Sequence, residues 1–244
     1  MSVAALLVFG FVVFVFGGVV KGTLGVGLPL VAVPLMSLVL PATQSIALVM
    51  MSVLVSNVMQ ALEGGLSWQG VRRFAPLIGA LLVSTAITVP LTLDLPEATL
   101  RMLLAGVVLL AVALMALPLE LSVAPAHERW WSLGVGAMSG VLGGVSSLTG
   151  PIIITYMMSL RLARDVFVGS ISIIYLAGAL PLYGSMALHG RIGATDAMLS
   201  VAALLPMALG LLIGRRVRSS LSEVWFRRIL LGFLVWVALV LLLR

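Results

Sequence analysis

The sequence predicts an all-α membrane protein that crosses the bilayer several times and consists of two inverted repeats. Three observations support this fold class. Of the 244 residues, 62% are hydrophobic and only 9% are charged, whereas an average soluble domain carries about 25% charged residues. Apolar runs long enough to span a bilayer fill most of the chain. The first half of the chain also resembles the second half.

The spanning elements are predicted to be helices. A bilayer-spanning helix needs roughly 20 mostly apolar residues, and these runs lack the alternation of a strand. Lipid cannot hydrogen-bond the edge of an open sheet, which leaves helices as the spanning element. A soluble helix bundle is the alternative, and the shortage of charged residues argues against it. The runs that meet or approach the required length are 3–20, 42–62, 74–93, 98–117, 131–145, 166–188, 197–214 and 224–243.

Two separate blocks of sequence recur in the same order. The first recurs at an offset of 122 residues and the second at an offset of 126 residues, so a short loop insertion reconciles them. Ordered matches of this kind indicate an internal duplication. The main aligned pairs are Gly18 with Gly140, Pro29 with Pro151, Met36 with Met158, Glu97 with Glu223, and Arg101 with Arg227.

Each repeat is predicted to hold about five helical segments. The first repeat covers 1–117, an inter-repeat loop covers 118–130, and the second repeat covers 131–244. The second segment of each repeat, 28–40 or 151–160, is too short to span, because 13 residues rise only about 20 Å through a core about 30 Å thick. These segments are predicted to be half-helices or re-entrant arms packed within protein.

The basic residues predict the orientation. With the start of the chain outside, 11 of the 14 basic residues fall on the inner side, as the positive-inside rule expects. Equivalent loops then lie on opposite sides, with Asp94 and Glu97 outside but Arg215 and Arg216 inside. An odd number of passes in each repeat makes the repeats inverted. Four passes per repeat would make them parallel, which these loop charges disfavour.

Each repeat interrupts its helices with glycines just before a proline. Inverted repeats with broken helices are typical of secondary transporters, which bind substrate near the midplane. The free N–H groups at the start of the following helix favour an anion. Two such ends from opposite repeats would form a compact anion site. The alternative is that the glycines only let helices pack closely.

Lys21 precedes the first of these breaks within an apolar stretch. A lysine facing lipid at mid-helix costs about 2.5–3.5 kcal/mol, so its charge is expected to face protein, water or substrate. We interpret it as a cation for the anion; an interfacial lysine that obeys the positive-inside rule is the alternative. The second repeat has glycine at this place and offers Ser146, Ser147 and Thr149 instead, whose hydroxyls either donate to the anion or bond their own helix.

Other polar residues lie inside apolar runs. Asn57 and Gln60 are three residues apart and share a helix face, so they either line a cavity or join helices. Tyr156, Tyr175 and Tyr183 are further polar side chains within such runs. The candidate substrate-binding residues are Lys21, Gly22, Thr23, Gly25, Gly27, Gln44, Asn57, Ser146, Ser147, Thr149 and Gly150.

Several function classes find no support in the sequence. The chain has no cysteine, which excludes thiolate chemistry. It has no HExxH pattern and no P-loop, so we expect neither an enzyme nor direct drive by ATP. The few acidic residues lie at segment ends, so neither a metal nor a cofactor is expected. The net charge of +6 is interpreted as inner-side loops rather than a nucleic-acid surface.

The stretch 20–35 (VKGTLGVGLPLVAVPL), the stretch 40–48 (LPATQSIAL) and Asn57 resemble the sulfite exporter TauE/SafE family, and the resemblance spans nearly the whole chain. It implies a multi-pass permease of the bacterial inner membrane that exports sulfite, sulfoacetate or another organosulfonate. One departure is the second break, 143–151 (GGVSSLTGP), which has hydroxyls where the family often has more glycine.

The sequence therefore predicts a secondary transporter that moves a small sulfur-containing anion across the cytoplasmic membrane, with the small anion and the lipid bilayer as partners. A permease for a different small anion or solute is the alternative. An intramembrane enzyme and an assembly subunit without transport are less well supported. A homodimer is left open.

Overall fold

A computed structural model describes residues 2–63, 68–116, 123–220 and 223–243. Within these ranges the chain is helical and contains no strand, which confirms the all-α prediction. The helices are α1 (Val3–Leu24), α2 (Leu28–Met36), α3 (Ala42–Leu48), α4 (Met50–Glu63), α5 (Trp68–Arg73), α6 (Ala75–Thr92), α7 (Glu97–Ala116), α8 (Glu128–Ser146), α9 (Gly150–Ser159), α10 (Arg164–Leu188), α11 (Ala194–Ala202), α12 (Leu204–Ser220) and α13 (Glu223–Leu242).

Six helical stretches among the described residues are long and apolar enough to cross a membrane. Their number and composition make the chain a multi-pass membrane protein, as predicted. Two shorter apolar helices, Gly150–Ser159 and Arg228–Leu242, accompany them. The six stretches are Val3–Leu24, Ala42–Glu63, Ala75–Thr92, Glu97–Ala116, Val166–Leu188 and Ala194–Val217.

The two segments predicted to be too short are short helices. The α2 helix has 9 residues and the α9 helix has 10, so each rises only about 15 Å at 1.5 Å per residue. Both carry a proline in the first turn, where its fixed backbone angle suits a helix start and its missing N–H costs nothing. The broken helices of the predicted fold are therefore present.

The first of two compact units consists of Met1–Ser52, Leu95–Val112 and Arg191–Arg244. Its main helix pair is α1 against α12. Gly18 of α1 lies so close to the Met207 carbonyl that a Cβ atom would collide with it, and Gly210 of α12 stands in the same relation to Val15. Small residues at such spacing allow two membrane helices to approach backbone to backbone.

The second compact unit consists of Val53–Asp94 and Ala113–Gly190, and its main pair is α6 against α8. Gly136, Gly140 and Gly144, spaced four residues apart, line the contact face of α8. Across this contact the hydroxyl of Thr85 donates to the Gly140 carbonyl over 3.2 Å. The pair therefore combines close backbone approach with a buried hydrogen bond.

Each unit combines helices from both sequence halves. The α1 helix comes from the first half and its partner α12 from the second, whereas α8 comes from the second half and its partner α6 from the first. The boundaries of the two predicted repeats and their inverted orientation stay predictions. Of the predicted inter-repeat loop, residues 118–122 lie outside the described ranges.

Candidate functional site

The first break lies in the first unit, between α1 and α2. Gly25 ends α1 with a left-handed backbone (φ 81°), and its N–H donates to the Lys21 carbonyl over 2.7 Å. Gly27 precedes α2 with φ 103°. Left-handed angles of this kind are accessible to glycine at little cost. The break thus ends one helix and starts the next within three residues, which leaves the first-turn N–H groups of α2 without partners inside their own helix.

Three predicted site residues lie in the last turn of α1. Lys21 is buried, with 3% of its surface exposed. Gly22 packs against α12, where an added Cβ would lie 2.5 Å from the Leu211 carbonyl oxygen. The Thr23 hydroxyl donates to the carbonyls of Val19 at 2.8 Å and Gly214 at 3.3 Å. Gly22 and Thr23 therefore help to hold α1 on α12, and Lys21 is the charged side chain at this break.

The second break lies in the second unit, and the residue that ends its first helix has the same backbone conformation as Gly25, at the predicted offset of 122 residues. Ser147 ends α8 with a left-handed backbone (φ 62°), and its N–H donates to the Gly143 carbonyl over 2.7 Å. Thr149 precedes α9 at the position where Gly27 precedes α2, but its backbone is right-handed (φ −72°) whereas that of Gly27 is left-handed. Serine rarely adopts the left-handed conformation, yet the second break has a side chain at the place where the first has glycine.

The hydroxyls at the second break differ in their surroundings. The Ser146 hydroxyl donates to the Leu142 carbonyl over 2.6 Å and accepts from the Leu148 N–H at 3.2 Å, so it bonds its own backbone. The Thr149 methyl packs against Gly143. The Ser147 hydroxyl instead lies 3.4 Å from the Tyr183 hydroxyl. Ser147 is therefore the hydroxyl of this break that points to another side chain.

Gly150 starts α9 and faces Tyr175 of α10. A Cβ atom on Gly150 would lie 2.8 Å from the Tyr175 hydroxyl oxygen. That hydroxyl is buried and has no hydrogen-bond partner in the described structure. Tyr183, also on α10, is 5% exposed. The sequence marked both tyrosines as polar residues in an apolar run, but only the fold shows that they reach the second break.

Asn57 and Gln60 are both buried on α4 in the second unit, with 2% and 8% of their surface exposed. Their shared burial agrees with the expectation that they occupy one helix face. Gln60 accepts a long hydrogen bond of 3.5 Å from the hydroxyl of Ser172 on α10. That contact ties α4 to α10 within the unit.

The structure places Gln44 elsewhere in the first unit. Its amide donates to the Asp196 carboxylate over 3.1 Å, and it borders a cavity of about 330 Å³ beside Gly10 and Phe14 of α1. Phe14 is seven residues before Lys21 on α1, or about 10 Å along the axis. The rest of the cavity lining is apolar, so an anion would be poorly solvated there.

One ion pair outside the breaks joins two helix ends. Arg73 pairs with Glu128 at the start of α8 through two hydrogen bonds, the longer of them 2.9 Å, and this bonding raises the pKa of Arg73. Within the described residues, no group of three or more His, Cys, Asp or Glu side chains could hold a metal ion.

The structure therefore has a buried lysine in the last helical turn before one break and buried hydroxyls at the other, in a chain that spans the membrane several times. The family model for the sulfite exporter TauE/SafE matches residues 10–241. No curated protein and no solved structure matches the chain. The match covers almost the whole chain and includes both breaks. The chain thus belongs to the sulfite exporter TauE/SafE family of membrane transporters.

Proposed function

We propose that this protein is a secondary transporter that exports a small sulfur-containing anion, such as sulfite or sulfoacetate, across the bacterial cytoplasmic membrane. The observation that carries the proposal is the buried Lys21 in the last turn before the first break. An ionisable side chain buried within a membrane-spanning helix marks a candidate binding site or substrate pathway. Its positive charge and the N–H groups at the start of the following helix both favour an anionic substrate.

The second break supports the same class of substrate. It carries a buried side-chain hydroxyl on a left-handed residue, Ser147, next to the start of α9. Non-glycine residues in this conformation concentrate at functional sites, where the surrounding structure holds them. Hydroxyl and backbone N–H donors are suited to sulfonate or sulfite oxygens. The Gln44 contact with Asp196 supplies no comparable donor set, since a carboxylate repels an anion.

Export agrees with the membrane potential. When the inside of the cell is electrically negative, the membrane potential favours the export of each negative charge by about 2.3 kcal/mol per 100 mV. Efflux down this potential therefore needs no coupled ion.

The test is efflux from proteoliposomes loaded with sulfite or sulfoacetate, with and without an inside-negative potential. We expect wild-type vesicles to release the sulfur anion and the potential to accelerate release. Lys21→Ala should reduce the rate and raise the half-saturating concentration about tenfold or more, because a hydrogen bond to a charged group contributes about 1.5–3 kcal/mol.

Two further variants separate charge from packing. Lys21→Met keeps the length of the buried side chain and removes the charge, so it should behave like Lys21→Ala, whereas Lys21→Arg should retain part of the activity. Equal transport by wild type and Lys21→Met would remove Lys21 from the site. Release of chloride or phosphate with no release of a sulfur anion would favour the alternative permease.

A further inference from the structure

Tyr175 buries a hydroxyl group that the fold itself does not use. The side chain extends from α10, and its oxygen is buried without a hydrogen-bond partner in the described structure. It ends beside Gly150, the first residue of α9, where only the missing side chain of glycine leaves room for it. An unsatisfied buried polar group is rare, and each instance calls for an explanation.

Buried serine hydroxyls without a partner do not need a ligand to explain them. Ser37 and Ser139 also lack partners among the described residues, but a serine in or directly after a helix can rotate toward a carbonyl of the preceding turn at small cost. A tyrosine hydroxyl stands at the end of a rigid ring and cannot reach its own backbone. The ring must therefore find its partner elsewhere, as Tyr156 does by bonding Ser132 at 2.8 Å and the Glu128 carbonyl at 3.2 Å.

The start of α9, which the Tyr175 hydroxyl faces, carries hydrogen-bond donors. Gly150 starts α9, whose first-turn N–H groups have no partner inside their helix and carry its positive end. On the same helix as Tyr175 and eight residues further on, Tyr183 presents a second buried hydroxyl, 3.4 Å from that of Ser147. That separation is long for two hydroxyls, which prefer about 2.7–2.8 Å. All of these groups belong to the second unit.

We propose that Tyr175 is a substrate-binding residue, which donates its hydroxyl to an oxygen of the anion held at the start of α9. Ser147, three residues before Gly150, is a second donor of this subsite, and Tyr183 lies 3.4 Å from its hydroxyl. Its ligand is an anion with several oxygens, such as a sulfonate or sulfite, because the donors arrive from two helices and a backbone end. This inference rests on the proposed function and adds Tyr175 and Tyr183, which the sequence had not assigned to the site.

The experiment compares Tyr175→Phe with the wild-type protein in detergent. The substitution keeps the ring against Gly150 and removes only the hydroxyl. Without ligand, the unfolding temperature should stay the same or rise, because an unsatisfied buried hydroxyl destabilises the fold. The affinity for sulfite or sulfoacetate, measured from the ligand-dependent shift in unfolding temperature, should fall about tenfold or more, since a hydrogen bond to a charged acceptor is lost.

Tyr156→Phe is the matched control in the same unit. Its hydroxyl already bonds Ser132 and the Glu128 carbonyl, so its removal should lower the unfolding temperature and leave anion affinity within about twofold of wild type. The two variants therefore have opposite expected effects on stability and on binding.

The outcomes separate this inference from the proposed function. Unchanged affinity in Tyr175→Phe, with wild type binding a sulfur anion, overturns the role of Tyr175 and leaves the transporter proposal standing. A fall in the ligand-free unfolding temperature like that of Tyr156→Phe shows that the hydroxyl has a structural partner and also overturns the inference. Absence of any sulfur-anion binding by wild type overturns both proposals.

Discussion

One residue at each break determines how the preceding helix ends. Gly25 and Ser147 occupy equivalent positions, both are left-handed, and each donates its N–H to the carbonyl four residues earlier. The left-handed conformation costs an L-residue roughly 1–2 kcal/mol, and glycine avoids that cost. Ser147 therefore keeps a hydroxyl at a place where glycine would give the same backbone more easily, which is the pattern expected when the side chain has a use.

We predict that Ser147→Gly lowers the affinity for the anion and leaves the stability of the fold nearly unchanged. The strain at φ 62° is relieved, while glycine adds about 0.5–1 kcal/mol of unfolded-chain entropy, so the net change in stability should stay within about 1 kcal/mol. Anion affinity should fall about tenfold because one donor is lost. Thermal unfolding with and without sulfite measures both quantities. Wild-type affinity in this variant would assign Ser147 to the helix cap alone.

Part of the candidate site could be predicted from single residues. Lys21, Ser147 and Gly150 are candidates because a charge, a hydroxyl or a glycine is conspicuous within an apolar run. The pairing of Tyr175 with Gly150 depends on how α10 packs against the start of α9, and residues 25 positions apart carry no local pattern that reveals it. For the same reason the sequence did not place Gln44 next to Asp196, which follows it by 152 residues.

At the scale of helices, the glycines have two separate tasks. Those that form the breaks, Gly25 and Gly27, have left-handed backbones. Gly22 belongs to α1 proper and faces the α12 backbone, as the packing interpretation of the glycines expected. Sequence alone could not divide the glycine cluster in this way, because the last turn of α1 and the break adjoin each other. The division follows from which glycines touch a second helix.

We predict that glycines at helix contacts and glycines on open faces respond oppositely to alanine. Gly210→Ala should place a methyl group against the Val15 carbonyl and destabilise the α1–α12 pair by about 1–3 kcal/mol, as overpacking does. Gly106→Ala on α7 is the matched control: no atom lies within 4 Å of its added Cβ, so it should gain about 0.5–1 kcal/mol from helix propensity. Unfolding in detergent measures both, and equal effects would contradict the assigned contact.

At the scale of the whole chain, the two compact units do not follow the two halves of the sequence. The first unit pairs α1 with α12, and the second pairs α8 with α6. In both pairs the first helix of one predicted repeat meets the fourth segment of the other. The sequence predicted the repeats but not that each unit pairs helices from different repeats. A duplication specifies similar elements without specifying which copy each one packs against.

Because each unit pairs helices from both halves of the sequence, we predict that neither half of the chain folds alone. A fragment of residues 1–122 lacks α12, so the glycine face of α1 has no partner, and a fragment of residues 123–244 lacks α6 for α8. Expressed separately in membranes, each fragment should be degraded or aggregate on extraction. Expressed together, they should co-purify through a tag on one fragment, because close glycine packing joins membrane helices without a covalent link.

Glycine variants provide the matched control for this complementation. Gly210→Ala in the second fragment should reduce recovery of the first, since Gly210 lies against Val15 of α1. Gly232→Ala in the same fragment has open space around its added Cβ and should leave recovery unchanged. The contrary result is that each fragment alone gives a monodisperse helical protein that unfolds at the wild-type temperature. That result would mean that the helices pair within each half, and it would contradict units built from both halves. Because α1 and α8 end at the two breaks, loss of either pair should also abolish anion efflux.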